Sequence, residues 1–334
     1  MLAHVRANLL LLILTLLLCC VLYPLALWGI GQSAFSQQAN GSLILDKEGK
    51  PIASRLIAHE VKGEQYFQPR PSATAGSSWN ALASGASNWA ANNYQLRDRV
   101  ARSLAPVVKY KNGEAVADDV VKWFREEERP LVKEWAEAHP TLAQNWVKTD
   151  AVTKKYVKEW FRAHAAELAE WKRDNPGKTN PEPEDLAVAF FTSFSFQHPA
   201  TWLAVDGEGA DKRVVLVGKN AKDPADIAAV FFDMWRDAHP DVALEEVPAD
   251  QVMASGSGLD PHITLKNALY QLPRVADKWA ALTKQNADRL REEIKELLNR
   301  HAHAPFSGLA GVPMVNVVEV NVALHNRYAD KVRE

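Results

Sequence analysis

Residues 9–30 read LLLLILTLLLCCVLYPLALWGI and carry no charged side chain. At ~1.5 Å per residue such a run makes a helix of about 33 Å, enough to cross a bilayer. A cleaved signal peptide has a shorter apolar core, about 7–15 residues, followed by small residues at the cleavage site. Here the run is longer, and the only small pair near its end is Gly29 and Gly31. A lipoprotein anchor fails too, because bulky Leu18 precedes Cys19. The reading is a retained span. Arg6 precedes it, and no charge follows it before Asp46. The positive-inside rule then puts the N-terminus in the cytoplasm and everything beyond about residue 31 outside, in the periplasm or extracellular space. Pro24 predicts a kink, and Tyr23 and Trp28 suit the interfacial belt. Cys19 and Cys20 are the only two cysteines and fall inside the span. The exported part is held by core packing alone, and zinc ribbons, redox dithiols and c-type haem attachment are excluded.

The full chain has 334 residues, 47% apolar and 24% charged. That is room for one large or two modest domains, and it excludes wholesale disorder. Lys and Arg total 39 against 41 Asp and Glu, a net charge of −2, so no nucleic-acid partner working through bulk positive charge is expected. The 11 tryptophans call for a local explanation.

Beyond the span, Ser42–Asp46 and Pro51–Ile57 read as a hairpin around Lys47-Glu48-Gly49. Residues 63–93 read as an ordered loop packed by its own aromatics, Trp79, Trp89 and Tyr94, and Leu96, Val100 and Leu104 begin a helix. From 106 to 240 charged helical runs dominate, and a short pattern recurs. Trp135 to Pro140, Trp171 to Pro176 and Trp235 to Pro240 all fit W-x-x-x-[HN]-P, each behind an apolar and aromatic face. This predicts helices whose last turn carries the Trp and which stop before Pro, burying Trp against one another. Residues 176–183 read as a linker, FFTSFSF (190–196) and RVVLV (213–217) as strands, and 206–209 as a turn between them. In the last part, a strand-like start at Gln251 leads into a glycine-rich loop. A short helix over 268–276 is interrupted by Pro273, an amphipathic helix runs over 277–301 with Arg289 and Glu293 paired across one turn, and the alternating MVNVVEVNVAL (314–324) reads as a half-buried strand. The fold class is α+β: one N-terminal transmembrane helix, then an exported mixed α/β domain with a largely helical insertion.

The loop SGSGLDPH (255–262) is the first candidate site: Ser255, Gly256, Ser257, Gly258, Asp260 and His262. As a phosphate cradle it lacks the Lys of a P-loop and does not open a helix. As a hydrolase site it has the residue types but no G-x-S-x-G elbow. A structural or partner-contact loop is the preferred reading. His301 and His303 lack a third ligand nearby and read as a helix C-terminus, and the carboxylates of 114–137 read as a solvated helix face. Asn40-Gly41-Ser42 matches a glycosylation sequon by pattern alone. No residue set forms a catalytic constellation, and no metal site is expected.

Six segments, taken in order, resemble the C subunit of the bacterial Kdp potassium-transporting ATPase. They are the span ending Tyr23-Pro24; Gln38 to Ile44; Tyr66-Phe67 with Arg70-Pro71-Ser72-Ala73; Trp79-Asn80-Ala81 with Ser84 to Asn88; Ala254 to His262 followed by Gln271 and Arg274-Val275-Ala276; and Val315 to Asn321. The resemblance covers roughly residues 8–104 and 240–325. It departs from the family at Trp79, where Tyr is common, and at Ala86 and Pro69, where Gly is common. It implies three parts: an anchor (1–31), a family-like exported domain (32–105 and 241–334) and an inserted, mostly helical Trp-rich module (106–240). It also implies an accessory, non-catalytic subunit of an ATP-driven potassium uptake pump in the inner membrane. The partners would be a P-type ATPase subunit and a channel-like potassium-binding subunit. ATP, Mg and K would be used by the complex, with no cofactor bound directly by this chain. Partner contacts are expected at Asn40, Arg70, Ser72, Asn80, Ser87, Asn88, Gln271 and Arg274. Two roles are open for such a subunit. One raises the ATP affinity of the ATPase subunit; the other is that of an external cap that assembles the complex, which the topology favours. The alternative from a different class is a membrane-tethered periplasmic enzyme or binding module whose function lies in 106–240.

Overall fold

The computed structural model describes residues 2–74, 78–207, 211–217, 224–309 and 311–332. It begins with one apolar helical rod, Leu2–Ala34, long enough to cross a bilayer. The rod comprises α1 (Leu2–Leu16), a π-helical stretch (Leu17–Leu22) and α2 (Tyr23–Ala34). The expected kink at Pro24 takes this milder form. Pro24 cannot donate to the Cys20 carbonyl and crowds it. The wider turn, in which the Tyr23 N–H donates to Leu18 O five residues back, absorbs that misfit without breaking the rod. None of these residues is buried, so the chain itself offers no cover for the apolar surface.

A single turn, α3 (Ser36–Ala39), leads to β1 (Leu43–Leu45) and β2 (Pro51–Ser54), which pair antiparallel as the hairpin expected from sequence. Asp46 closes the connection by accepting from the N–H groups of Glu48 and Lys50, and Gly49 supplies the positive φ. The C-terminal part of the chain adds β5 (His262–Thr264), α12 (Leu265–Thr283), α13 (Ala287–His301), β6 (Met314–Asn316) and α14 (Val317–Tyr328). Strands β5 and β6 pair antiparallel, and α12 packs on α13.

Residues 1–87 and 248–334 form one compact unit, and 88–247 form another. The first is built on Phe67, Ile263, Trp279, Leu290, Ile294, Val320, Leu324 and Tyr328. Four readings of its sequence are corrected. Helix α12 runs through Pro273, because Leu272, Val275, Ala276 and Trp279 bury on either side of it. The helix expected over 277–301 is two helices, broken where Lys284 takes a left-handed conformation (φ 56°) and Asn286 starts α13 by accepting from the Arg289 N–H. The strand expected over 314–324 is a strand only to Asn316. The Asn316 side chain then accepts from the N–H groups of Val318 and Glu319 and begins α14. A 3₁₀ turn (Ala249–Gln251), not a strand, precedes the glycine-rich loop.

The second unit holds α4 (Tyr94–Leu104), α5 (Ala117–Glu126), α6 (Leu131–Ala138), α7 (Pro140–Lys148), α8 (Ala151–Ala163), α9 (Ala165–Asp174), α10 (Ala187–Gln197), the antiparallel hairpin β3 (Trp202–Asp206) with β4 (Arg213–Val217), and α11 (Pro224–Ala238). FFTSFSF is therefore helical, not a strand: Phe190, Phe191 and Phe194 fall on one face of α10 and are fully buried. Of the turn expected at 206–209, the last residues lie outside the described ones. The tryptophan excess is explained by packing. Trp202 meets Trp135 at 5.0 Å and Phe231 at 5.4 Å edge-on, and stacks on Phe191 at 5.7 Å.

The W-x-x-x-[HN]-P pattern ends α6, α9 and α11 as expected. In each, the residue after the helix donates its backbone N–H and a side-chain nitrogen to the same Trp carbonyl: His139 to Trp135, Asn175 to Trp171, His239 to Trp235. Two further copies emerge. His164 caps α8 on Trp160 without a following Pro, and His198 caps α10 on Phe194. Helices α10 and α11 also align without a gap. Residues 183–199 (PEDLAVAFFTSFSFQHP) and 224–240 (PADIAAVFFDMWRDAHP) share P-x-D-[LI]-A-x-x-F-F-x-x-[FW]-x-x-x-H-P. The matched core positions are buried in both: Leu186 and Ile227, Phe190 and Phe231, Phe194 and Trp235.

Candidate functional site

The 255–262 loop is a rigid knob. Ser255, Gly258 and Leu259 are buried, while Gly256 and Ser257 at its tip are exposed. Gly258 has φ +68°, and an added Cβ would lie 2.7 Å from Thr74 Cγ2 and 2.8 Å from the Gly85 carbonyl. Only glycine fits. The loop consumes its own N–H groups: Gly258 donates to Ser255 O, Leu259 to Ser257 Oγ, Asp260 to Ser255 Oγ and His262 to Asp260 Oδ1. It leads into β5 rather than into a helix N-terminus. The following helix is capped by Thr264, which Asp250 holds through its backbone N–H and hydroxyl.

The Arg70–Ser72 segment clamps the base of the knob. Arg70 donates to the carbonyls of Met253 (3.2 Å) and Ala254 (3.0 Å), with Asp260 3.9 Å away. Ser72 Oγ donates to Gly258 O at 2.8 Å and accepts from the Trp79 N–H. Thr74 Oγ1 accepts from the Asn80 N–H, and Asn80 caps the 3₁₀ turn Ala81–Ala83. Ser84 and the Gly85 N–H both donate to Ser257 O. The loop expected to be ordered by its aromatics is therefore ordered mainly by these hydrogen bonds. Leu82 projects from the same turn almost wholly into solvent, 98% exposed.

Asp260 also accepts from His262 Nδ1 at 2.9 Å. Partial burial pushes its carboxyl up. The bonds from the His262 ring and backbone, with the charges of His262 and Arg70, outweigh that and leave it below the ordinary carboxylate value. This pair orients the His262 ring, whose other side faces His303 at 5.6 Å between centroids. Ser257 is not aimed at His262; its Oγ serves the Leu259 N–H. Among the described residues, no group of three or more His, Cys, Asp or Glu side chains is placed to hold a metal ion.

Gln271 and Arg274 act one layer away. Gln271 reads both backbone groups of Gln68, accepting from its N–H (2.8 Å) and donating to its carbonyl (3.1 Å). Arg274 donates to the carbonyls of Glu64 and Tyr66 and to Gln271 Oε1. Asn321 does the same for Phe67 that Gln271 does for Gln68, at 2.9 and 2.8 Å. Asn321 and Asp250 were missed as site residues. Their signal is a polar side chain in an otherwise apolar or capping context, which has to find a partner. The structure thus brings together Arg70, Ser72, Asn80 and the 255–262 loop, with Gln271 and Arg274 bracing the strand of chain that enters them. Asn40 is not part of this cluster: it bonds Gln32 and Ser36 O at the end of the apolar rod. Ser87 closes the first segment of its unit, and Asn88 (φ 52°) opens the other unit.

These features define a class: an α+β protein on a single apolar N-terminal helix, whose candidate site is a pair of interlocked polar loops. The particular family follows from comparison. A family model described as KdpC: K+-transporting ATPase, c chain, matches residues 5–123 and 217–326, and the chain belongs to that family. It is 44% identical over 113 residues to the potassium-transporting ATPase KdpC subunit of Pseudomonas entomophila (strain L48), covering 34% of this chain and 59% of that protein. It is 49% identical over 85 residues to that of Pseudomonas aeruginosa (strain UCBPP-PA14), covering 25% and 45%. It is 46% identical over 100 residues to that of Enterobacter sp. (strain 638), covering 30% and 52%. The chain spans about half of the length of the curated relatives it matches.

Proposed function

We propose that the chain is the accessory subunit of an ATP-driven potassium uptake pump. The Leu2–Ala34 rod would hold it in the inner membrane with the N-terminus in the cytoplasm and both units outside. The 255–257 tip, with Leu82 beside it, would dock on the channel-like and P-type ATPase subunits and assemble or steady the complex. One observation carries this reading: the knob is rigid at its base and exposed at its tip, the form of a contact that is organised before its partner arrives. The order of the charges, Arg6 in the first turns of the rod ahead of the uncharged run 9–30 and no charge after that run before Asp46, supports the orientation.

The same geometry speaks against nucleotide contact by this loop. Four of its N–H groups already have acceptors within the loop, so they are not on offer to phosphate oxygens. An outside location would also keep the loop from cytosolic ATP. A direct effect of this chain on the ATP affinity of the ATPase subunit then requires a contact elsewhere.

The test is affinity purification of the tagged chain from detergent-solubilised membranes of potassium-starved cells. Co-purification of a P-type ATPase and a polytopic subunit, with potassium-stimulated ATP hydrolysis in the eluate, is the expected result. Leu82→Asp, at a site with no packing to lose, should leave the fold intact and cut the yield of partners. A chain that elutes alone would refute the assignment. Saturable ATP binding that is lost in Ser257→Ala would refute the partner reading of the loop and restore the nucleotide one.

A further inference from the structure

We propose that a cavity beside α4 binds a small aryl carboxylate, through Arg99 and a tryptophan-lined wall. The cavity is about 440 Å³ and lies within the 88–247 unit, bounded by α4, the end of α6, α7 and the segment before α4. That volume is in the range of small-ligand pockets, about 300–1,000 Å³.

Arg99 carries the argument. Its Nε and Nη1 are buried and have no hydrogen-bond partner. Among the described residues no carboxylate forms an ion pair with it. Its guanidinium rests 5.2 Å from the centre of the Trp89 ring, which supplies dispersion and cation–π attraction but accepts no hydrogen bond along the guanidinium plane. The nearest acid on its own helix, Asp98, is committed elsewhere, with both carboxylate oxygens 3.0 Å from Arg102 Nε. Desolvation lowers the Arg99 pKa from its ordinary value. A guanidinium edge shut away from water without an acceptor is costly, and an anion entering the cavity would supply what is missing.

The walls specify the rest of the ligand. Asp98, Arg99 and Arg102 leave one positive charge in excess, which suits a monoanion. Trp89 and Trp146 give the cavity aromatic surface for a flat apolar body, and Asn145 stands beside them with a side-chain amide. The cavity also has a composite origin. Its Arg99 side belongs to the stretch matched by the family model, whereas the wall from Trp135 to Thr149 lies outside the matched residues. It is therefore a feature of this chain's inserted segment, and it does not depend on membership of a pump.

The experiment titrates the full-length chain in detergent with benzoate, benzamide and inorganic phosphate, following tryptophan fluorescence. Benzoate should give saturable quenching. Benzamide, which has the ring without the charge, and phosphate, which has the charge without the ring, should each bind at least about tenfold more weakly, the factor set by one charge-assisted pair or one stacked ring. Arg99→Gln should weaken benzoate by a similar factor and leave benzamide unchanged, with its thermal transition confirming that it folds. The comparison of benzoate with benzamide needs no variant, so misfolding of Arg99→Gln would leave it decisive. Absence of saturable benzoate binding, equal binding of benzoate and benzamide or of benzoate and phosphate, or full benzoate affinity in folded Arg99→Gln would each overturn the proposal.

Discussion

Replacing His139 with alanine removes both ring hydrogen bonds of a side chain that sits between two helices. Nδ1 faces the Trp135 carbonyl at 3.0 Å, and Nε2 faces Asp233 Oδ2 at 3.2 Å. A carbonyl and a carboxylate only accept, so the imidazolium, with a proton on each ring nitrogen, is the form that satisfies both contacts. The bond to Asp233 raises the His139 pKa above its ordinary 6.5; burial opposes it, and the Asp233 charge and the Trp135 bond reinforce it. On the other side, burial pushes the Asp233 carboxyl up, but the His139 bond and charge prevail and leave it below 3.8. Both side chains are about one-fifth exposed, so solvent screens the pair only in part. A charge-assisted bond of this kind contributes about 1.5–3 kcal/mol and the bond to the carbonyl about 0.5–1.5 kcal/mol, so His139→Ala should cost about 2–4 kcal/mol near pH 6. For a unit the size of 88–247 that lowers Tm by roughly 4–16 °C.

The control is His239→Ala. His239 makes the same ring bond to its Trp carbonyl, at 2.7 Å, but no ion pair with a carboxylate joins it among the described residues. It should cost only about 1 kcal/mol. The two variants are compared by thermal unfolding, read by tryptophan fluorescence, from pH 5 to pH 9. A raised histidine pKa contributes stability that is complete below about 6.5 and disappears as pH climbs through the folded-state value. A depressed Asp233 contributes stability that is present above about 3.8 and is lost as pH falls through its own lowered value. The gap between wild type and His139→Ala should therefore be widest between those limits and shrink toward pH 9. If His139→Ala costs no more than His239→Ala, or if the gap is the same at pH 6 and pH 9, the imidazolium argument is wrong.

Other substitutions probe the remaining joints. Gly258→Ala forces a methyl against Thr74 and the Gly85 carbonyl at positive φ, so it should cost about 2–4 kcal/mol and lower the Tm of the 1–87 and 248–334 unit. Gln271→Leu keeps the bulk but strands both backbone groups of Gln68; a loss of about 2–3 kcal/mol in denaturant unfolding is expected, and an unchanged midpoint would mean that water replaces the amide. Lys284→Gly places the residue best suited to φ 56° at the end of α12 and should raise Tm, by about 0.5–1 kcal/mol of stability.

The parts of the fold legible in sequence were those with a local cause. The apolar rod, the β1–β2 hairpin, the RVVLV strand and the Arg289–Glu293 pair (2.9 Å) follow from composition, turn chemistry or helical spacing. The errors fell on apolar runs, where period and propensity disagree. In 314–324 the valines alternate, yet Val317, Val318, Val320 and Leu324 are the buried set, a helical spacing. The deciding signal was Asn316 with Glu319 three residues on, a cap that outranks β-propensity at the point where the chain turns. FFTSFSF has the composition of a strand, but its packing partners Trp135, Trp146 and Trp160 are far away in sequence. At the candidate site, sequence pointed to Arg70, Ser72 and the 255–262 loop. It could not show that Asn321 and Gln271 hold the backbone of 67 and 68 from the far end of the chain, because no local pattern encodes a contact of that separation.

The pairing of α10 with α11 bears on how a family domain can carry so large an insertion. The copy at 224–240 lies within the residues that the family model matches, and the copy at 183–199 lies in the unmatched stretch. An added helix is stable only if it brings a face that something else can bury. A duplicate of α11 brings one already suited to an aromatic partner. The two use neighbouring positions of it: α11 packs on α5, with Phe231 on Phe124 at 4.3 Å, and α10 packs on α6 with Phe191, one residue beyond the match of Phe231, against Trp135 at 5.4 Å. Trp202, on the strand after α10, then closes the space between them by touching Phe191 and Phe231 together. The recurrent His or Asn after each helix answers the other difficulty, since it satisfies the Trp or Phe carbonyl at the helix end and lets the chain reverse within a residue or two. Repetition of one helix-and-cap unit thus supplies the apolar faces from which the 88–247 unit builds a core of its own.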